Sequence, residues 1–460
     1  MNIAVIGSGI AGLTTAWQLT GKGHQVTIFE MRERPALLAH TARFTLDGKR
    51  YDVDSLLIWP RYHRDLIRLL DELGLSLRTR WFSSVAFFTE GDPKPYAGYV
   101  SKRVPLLRRN VLLPFGRTAG DSFAVYRFWL RHWLRAQWTR RRYDPGVTFG
   151  EHFAADTDPL YRKLIFPWVN CAIGFPMPDI LARMPAMSIL QFELATLAHL
   201  PRMVAEGMTE LARRLADGSQ LRLGHEVRRV EPGEDGVEIA GRTSAGESFG
   251  QDFDQVVLAV PPTRIPDLVE GLSDAERRIW SSFEDSVANL YLHVDERVMP
   301  RDRGDWAAIN YRLRDDPGAQ VEFTVWTSLV GGIEAGVQLF QSWNPVVMPA
   351  PETILYHNRL IRVLPTVECQ SYLAHDIPRL QGRRRLWYTG TWVEPYRGSY
   401  LEEGVRASRR LALAIHQAQA DAPAVSSRPE RVVPVPLAGG RLDDAHAHRR
   451  SGSARIRTTR

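Results

Sequence analysis

The residues whose types and spacing most plainly imply chemistry stand at the start of the chain. Gly7, Gly9 and Gly12 form a GxGxxG run (Gly7-Ser8-Gly9-Ile10-Ala11-Gly12), and Glu30 follows after a second apolar stretch. Residues 2–6 are apolar and β-prone, Leu13 to Thr20 has helical character, Gly21-Lys22-Gly23 breaks it, and residues 24–29 read as a second strand. Strand, glycine loop, helix, strand and acidic residue together fill the span of a βαβ unit. Each part has a physical role. Gly7 permits a tight turn, Gly9 lets backbone approach a pyrophosphate, and Gly12 lets helix and strand pack closely. The helix N-terminus turns its unpaired N–H groups toward phosphate, and Glu30, with Met31 beside it, is placed to accept from a ribose diol. The pattern implies dinucleotide binding. It does not choose between FAD and NAD, though a glutamate at this position disfavours the 2′-phosphate of NADP.

Other reactive constellations are missing. No HExxH, paired CxxC or nucleophile elbow is present, so metal-dependent hydrolysis and acyl-serine chemistry have no support and no metal site is expected. The two cysteines, Cys171 and Cys369, exclude a disulfide scaffold and read as small buried hydrophobes.

The elements that must position the loop follow from periodicity. Residues 61–75 read as a helix, 91–200 as a mainly helical, aromatic- and arginine-rich region, 207–216 as a helix, and 220–230 as a strand followed by a hairpin around 235–249. Phe253 to Val260 is the near-continuous apolar run of a buried parallel strand. Strands are expected at 287–294, 319–326 and from Leu386, and a helix at 402–419. This predicts an α/β fold: a discontinuous Rossmann-like domain from residues 1–85, 205–270 and 380–420, interleaved with an α+β domain from 86–204 and 271–379. Residues 421–460, rich in Pro, Ala, Ser, Gly and Arg without periodicity, read as a disordered tail.

Composition bounds the rest. Of 460 residues, 44% are hydrophobic and 24% charged, ordinary for a globular protein, and the net charge is +7. Residues 101–142 carry eleven Lys/Arg against one Asp, and the tail carries eight Arg against four acids, so the remaining body is net acidic. Within 121–142, Tyr126, Trp129, Leu130, Trp133 and Leu134 share a helical arc beside Arg127, Arg131 and Arg135, with Arg140, Arg141 and Arg142 following. That is the pattern of an interfacial helix on an anionic membrane, or of a helix packing its aromatics inward with its arginines in water. No nucleic-acid reading motif accompanies the arginines, which disfavours nucleic acid as a partner. There is neither an apolar run long enough to span a bilayer nor a basic region ahead of an N-terminal apolar stretch, so the expected location is cytoplasmic, with peripheral membrane contact through 121–142.

Taken together, these blocks resemble the flavin-containing amine oxidase-type family, of the two-domain glutathione-reductase-like class. They are most similar to a bacterial branch of predicted NAD/FAD-binding proteins encoded near cyclopropane-fatty-acid synthases. The resemblance covers about residues 1–417. It rests on the glycine loop with Glu30; Val53-Asp54; Phe253-Asp254 through Val257-Leu258-Ala259; Tyr291 to Asp295 with Met299-Pro300; Trp306, Asn310-Tyr311, Asn344-Pro345, Leu380-Gln381-Gly382, Gly390-Thr391-Trp392 and Glu402-Glu403-Gly404.

The resemblance implies FAD as cofactor. Gly7, Ser8, Gly9, Ile10, Ala11, Gly12 and Glu30 would hold the adenosine end, and Val227 would offer backbone near the adenine. Gly390, Thr391, Trp392, Glu402 and Glu403 would hold the pyrophosphate and flavin end; the two glutamates read equally as ordinary first-turn acids. Where the family has glycines that approach the cofactor, this chain has Leu38, Ala39, Leu56 and Glu206, so loops are re-routed or FAD is held differently.

Amine oxidases of this class also place a lysine from the second half of the chain near the flavin. Here the five lysines end at Lys163, so amine oxidation itself is not implied. The implied activity is FAD-dependent oxidation, or double-bond rearrangement, of a small or lipid-like organic substrate by hydride transfer to flavin. The alternative is a non-catalytic descendant that keeps the fold to bind a ligand or partner. An NAD-dependent dehydrogenase is disfavoured by the Gly390–Gly404 segment. Catalytic candidates are His293, Asn310, Tyr311, Trp343, Asn344 and His375, each of which also reads as a packing or turn residue.

Overall fold

The computed structural model describes residues 1–420 apart from residues 47, 79–83, 90, 93, 105–108, 140–145, 155–159, 168, 170–173, 176, 197–200, 314–320, 332, 334–336, 346 and 399. The tail expected to be disordered, and Cys171, lie outside these residues.

The β-prone N-terminus forms the central strand of a five-stranded sheet, Asn2–Ile6. Gln25–Phe29 and then Gln220–Arg222 lie on one side, and Gln255–Leu258 and Leu386–Tyr388 on the other. Every pairing is parallel, with Ile3 opposite Val26 and Gln255. Strands with parallel neighbours on both sides are covered on both faces, which is why residues 3–6 and 256–258 are continuously apolar and buried. Helix Ile10–Thr20 covers one face and is buried nearly all round, because the C-terminal helix Leu401–Ala420 crosses over it.

The sheet order runs third, second, first, fourth, fifth in chain sequence, so the chain reverses direction across the sheet beside Asn2–Ile6. In open α/β sheets ligands bind outside the carboxyl ends of the strands at such a switch point. Gly7 to Gly12 occupy that place.

Two expected strands are each divided between sheets. The run 220–230 breaks at Leu223-Gly224, where Gly224 has φ +65°. Gln220–Arg222 stays in the parallel sheet, and His225–Pro232 turns away into an antiparallel meander with Val237–Thr243 and Ser248–Phe253. Likewise Phe253 ends the meander and Gln255 starts the parallel strand, with Asp254 between them accepting from the Asn2 N–H (2.7 Å).

The second large sheet has eight strands, in the order Ile354–Leu364, Glu284–His293, Phe340–Trp343, Glu322–Trp326, Ile309–Leu313, Ser84–Thr89, Ala97–Val104 and Arg109–Gly116. All neighbours are antiparallel except Ile309–Leu313 with Ser84–Thr89. The last two strands correct the mainly helical reading of 91–200. Their alternation is masked by basic side chains on an edge hairpin, where pairing rather than apolar pattern decides structure.

The two faces of this sheet differ. Phe87, Tyr311, Phe323, Leu290 and Trp343 face a large aromatic core that includes Trp59, Tyr62, Phe175, Phe192 and Tyr400. The opposite face carries Asn310, Thr324, Ser342 and His293, by strand alternation.

Candidate active site

The glycine loop has the geometry its spacing demands. Gly7 has φ +103°, and a Cβ there would lie 2.5 Å from the Ala259 carbonyl oxygen; at Gly12 it would lie 2.0 Å from the Gly7 carbonyl oxygen. Both contacts are with backbone and cannot yield. At Gly9 a Cβ would meet nothing within 4 Å. The two flanking glycines are therefore packing requirements, while the middle one faces open space. Gly9 is also the N-cap of helix Ile10–Thr20, and no side chain caps it. The first-turn N–H groups, which have no acceptor within the helix, are left for a ligand.

Glu30 directly follows the second strand and is buried. Its Oε2 accepts from the Ser8 N–H (3.1 Å) and hydroxyl (2.5 Å), and its Oε1 from the Arg32 N–H (3.0 Å). Ser8 Oγ in turn accepts from the Ala36 N–H (2.8 Å), so the acidic residue ties the loop to the segment after it. Met31 is 61% exposed beside it. Val227 is buried against Phe29 and Ile6 at a β-bulge, where it pairs with Gly241 and Arg229 pairs with Ala240, leaving Arg228 outside the ladder.

The other expected cofactor residues converge on the same loop. A Cβ at Gly404 would lie 2.8 Å from Ile10 Cγ2, 3.1 Å from Thr391 Cγ2 and 3.7 Å from Ala11 Cβ. Gly404 thus lets the C-terminal helix cross the dinucleotide helix at close range beside Thr391. Ser408 Oγ reinforces the crossing by donating to the Ala11 carbonyl (2.8 Å). Gly390 leaves room for the Trp392 indole, which would otherwise lie 2.2 Å from a Cβ; Trp392 is buried and donates to the Val260 carbonyl (3.2 Å).

Glu402 and Glu403 are both fully buried but do different things. Glu402 accepts from the N–H groups of Asp65 (3.0 Å) and Leu66 (3.1 Å), capping helix Arg64–Glu72, and pairs with Arg406 (3.0 Å). Glu403 Oε1 accepts from the Tyr62 hydroxyl (2.7 Å), and burial pushes its carboxyl up to about 8.

The residues present fit an elongated polar cofactor. Arg34 Nε and Nη2, His40 Nδ1, Thr389 Oγ1 and Glu403 Oε2 are buried with no hydrogen-bond partner among the described residues. All lie in the segments flanking the loop, 30–40 and 389–403. Two of the side chains at family glycine positions are directed elsewhere: Leu38 is buried in the core of the parallel-sheet half, and Glu206 accepts from the Ser76 N–H (3.0 Å) and hydroxyl (2.8 Å). Ala39 packs on the aromatic core, its carbonyl accepting from Asn358 (2.7 Å), and Leu56 is half-buried against the core of the parallel-sheet half.

A model of the flavin-containing amine oxidoreductases matches residues 10–332, well over half of the chain. The chain belongs to this family. Members of this family are flavin-containing oxidoreductases, and membership gives the chain FAD as cofactor.

A lysine-specific histone demethylase 1 homologue of Oryza sativa subsp. japonica is 23% identical over 314 residues, 65% of this chain and 38% of the relative, so the chain spans well under half of that protein. Among solved structures, cyclohexylamine oxidase from Brevibacterium oxydans IH-35A covers 91% of this chain and 99% of its own at 15% identity (TM-score 0.61). A CLA-producing fatty acid isomerase from P. acnes covers 90% and 98% at 17% identity (TM-score 0.59). These likenesses show a shared fold.

The catalytic candidates do not share one place. Tyr311 and Trp343 lie in the aromatic core, Tyr311 stacked on Phe87 (5.0 Å). Asn310, on the opposite face, donates to the Ala307 carbonyl (2.7 Å) and accepts from the Ala307 N–H (3.0 Å). His293, also on that face, meets Ser342 Oγ at 2.9 Å, and burial lowers its pKa to about 4. Asn344 has φ +44°, donates its N–H to the Asn289 carbonyl and accepts the Asn289 N–H on its side-chain Oδ1 (2.8 Å), and His375 is exposed. Tyr62 and Tyr400 escaped the sequence reading. They meet edge to face (5.4 Å), and Tyr400 packs on Phe192 (4.9 Å). The available signal was a tyrosine just ahead of each helix, two positions before Arg64 and one before Leu401.

Proposed function

We propose that this flavin oxidoreductase acts on a small or lipid-like organic substrate, by removal of hydride or by rearrangement of a double bond. The observation that carries this is the aromatic core shared by the eight-stranded sheet and the start of the C-terminal helix. Trp343, Phe323, Tyr311, Tyr400, Tyr62 and Trp59 belong to one buried cluster, an environment that excludes water and favours apolar substrate bodies. We assign residues 1–85, 205–270 and 380–420 to the cofactor half and 86–204 and 271–379 to the substrate half. The resemblance to bacterial proteins encoded near cyclopropane-fatty-acid synthases, and the fold shared with a fatty acid isomerase, support a lipid-like substrate.

FAD, when bound, supplies a two-electron acceptor for hydride from a C–H or N–H bond. The chain's own residues do the rest. Gly9 and the uncapped first turn receive the pyrophosphate. The aromatic cluster keeps water out. Glu403, its carboxyl raised to about 8, holds a proton at neutral pH next to Tyr62. No lysine follows Lys163, and Lys163 itself rests over the Tyr96 ring (5.5 Å), so amine oxidation is not part of the proposal. The enzyme is proposed to work in the cytoplasm.

The test is anaerobic mixing of the FAD-loaded protein with amines, amino acids and unsaturated fatty acids, following flavin bleaching and product double-bond position. Bleaching or isomerisation with the apolar substrates supports the reading. Bleaching by small charged amines alone overturns the lipid-like assignment, and no response to any substrate class favours a non-catalytic binding role.

A further inference from the structure

Helix Ala119–Thr139 is apolar on two faces. Its inner face buries Val125 and Phe128 in the aromatic core and sets Trp129 against Tyr99 (5.9 Å). Its outer face carries a second stripe: Phe123 is 66% exposed, Tyr126 58%, Leu130 51% and Leu134 56%. At 100° per residue these four fall within about 80° of arc, opposite the buried side chains, and span about 16 Å along the axis. Arg127 and Arg131, both exposed, continue the same arc on one flank. The arrangement differs from the single apolar arc expected from sequence. Trp129 turns inward, Phe123 joins the outside, and the side chains of Trp133 and Arg135 lie outside the described ones.

We propose that this outer stripe docks on an anionic phospholipid bilayer, with the helix lying in the headgroup plane. Exposed Phe, Tyr and Leu beside Arg is what such a surface binds: apolar side chains enter the acyl boundary and the guanidinium groups meet phosphate. Charge selects this partner over a second copy of the chain. Arg127 and Arg131 are exposed along the stripe, and residues 101–142 carry eleven Lys/Arg against one Asp in sequence, so stripe-to-stripe pairing would bring like charges together. The hairpin strand Arg109–Gly116 packs on this helix and exposes Leu113 (43%), extending the apolar surface. Among the described residues no helix is long and apolar enough to cross a membrane, so the contact is with the surface.

The test is vesicle flotation of the full chain with phosphatidylcholine alone and with added phosphatidylglycerol. Flotation with the anionic vesicles only, weakened by salt and about tenfold by Arg127→Glu/Arg131→Glu and by Phe123→Ser/Leu130→Ser at unchanged Tm, supports the proposal. A Phe123→Trp variant, which keeps an aromatic side chain, should be quenched by brominated lipid if the stripe enters the bilayer. No flotation of the unaltered protein, or equal flotation of both substituted variants, overturns the proposal. So does a dimer in sedimentation that Phe123→Ser/Leu130→Ser dissociates while vesicles stay unbound, which would assign the stripe to a second copy.

Discussion

The Tyr62 hydroxyl donates to Glu403 Oε1 at 2.7 Å, across 341 positions of sequence, while Glu403 Oε2 is buried with no hydrogen-bond partner among the described residues. The pair joins the start of the helix at Arg64 to the start of the C-terminal helix. One hydrogen bond does not compensate full burial of a carboxylate, so the proton stays on.

A pH dependence follows. The Glu403 carboxyl, ordinarily at 4.5, is raised to about 8 by burial, so the folded state binds the extra proton between these values and loses stability as pH rises through that window. Glu403→Gln is neutral throughout and keeps an oxygen for Tyr62. The variant should gain on the unaltered protein as pH rises from 5 to 9, by on the order of 4 kcal/mol at the alkaline end. Tm measured across pH checks this; parallel curves for the two proteins would show Glu403 ionised throughout.

Glu402 differs in its partners: burial raises its carboxyl above the usual range, and two backbone N–H donors and Arg406 act against that shift. Glu402→Ala removes the cap of helix Arg64–Glu72 and leaves Arg406 with Asp65 (2.9 Å) as its acidic partner. The expected cost is about 3 kcal/mol in denaturant unfolding, far above that of removing an exposed pair such as Arg303–Glu296.

His293 sets an acid limb. The Asp295 N–H donates to its Nδ1 (3.2 Å), which directs its Nε2–H to Ser342 Oγ and makes the ring neutral. Burial lowers its pKa from 6.5 to about 4, so this contribution is fully present above 6.5 and is lost as pH falls toward 4. His293→Asn should be less stable at pH 7 yet fall less steeply on acidification, the difference amounting to ~3 kcal/mol.

The glycine loop and its strands were legible because their constraint is local. Three glycines and an acidic residue at fixed spacing leave one economical backbone path, and Gly7 and Gly12 indeed meet backbone atoms that forbid a side chain. What was not legible depends on pairing between distant segments. Glu402 reads as a first-turn acid of its own helix, yet it caps another helix 337 positions away. The hairpin Ala97–Val104 with Arg109–Gly116 is hidden by its own basic side chains, and the break at Gly224 hands one apparent strand to two sheets. Helix Ala119–Thr139 has the right period but two apolar faces, and only the packed structure separates inner Trp129 from outer Leu130.

The central claim, that the loop at Gly9 receives the cofactor, is tested most directly by flavin content of the purified chain and two glycine variants. The unaltered protein should carry or take up FAD, with flavin absorbance near roughly 370 and 450 nm. Gly9→Val should fold with an unchanged Tm of the apoprotein but bind FAD at least about tenfold more weakly, because its side chain enters open space that a pyrophosphate needs. Gly12→Val should lose stability itself, since its Cβ meets the Gly7 carbonyl. A colourless protein that takes up no added FAD, or a Gly9→Val variant that binds it undiminished, would contradict the account.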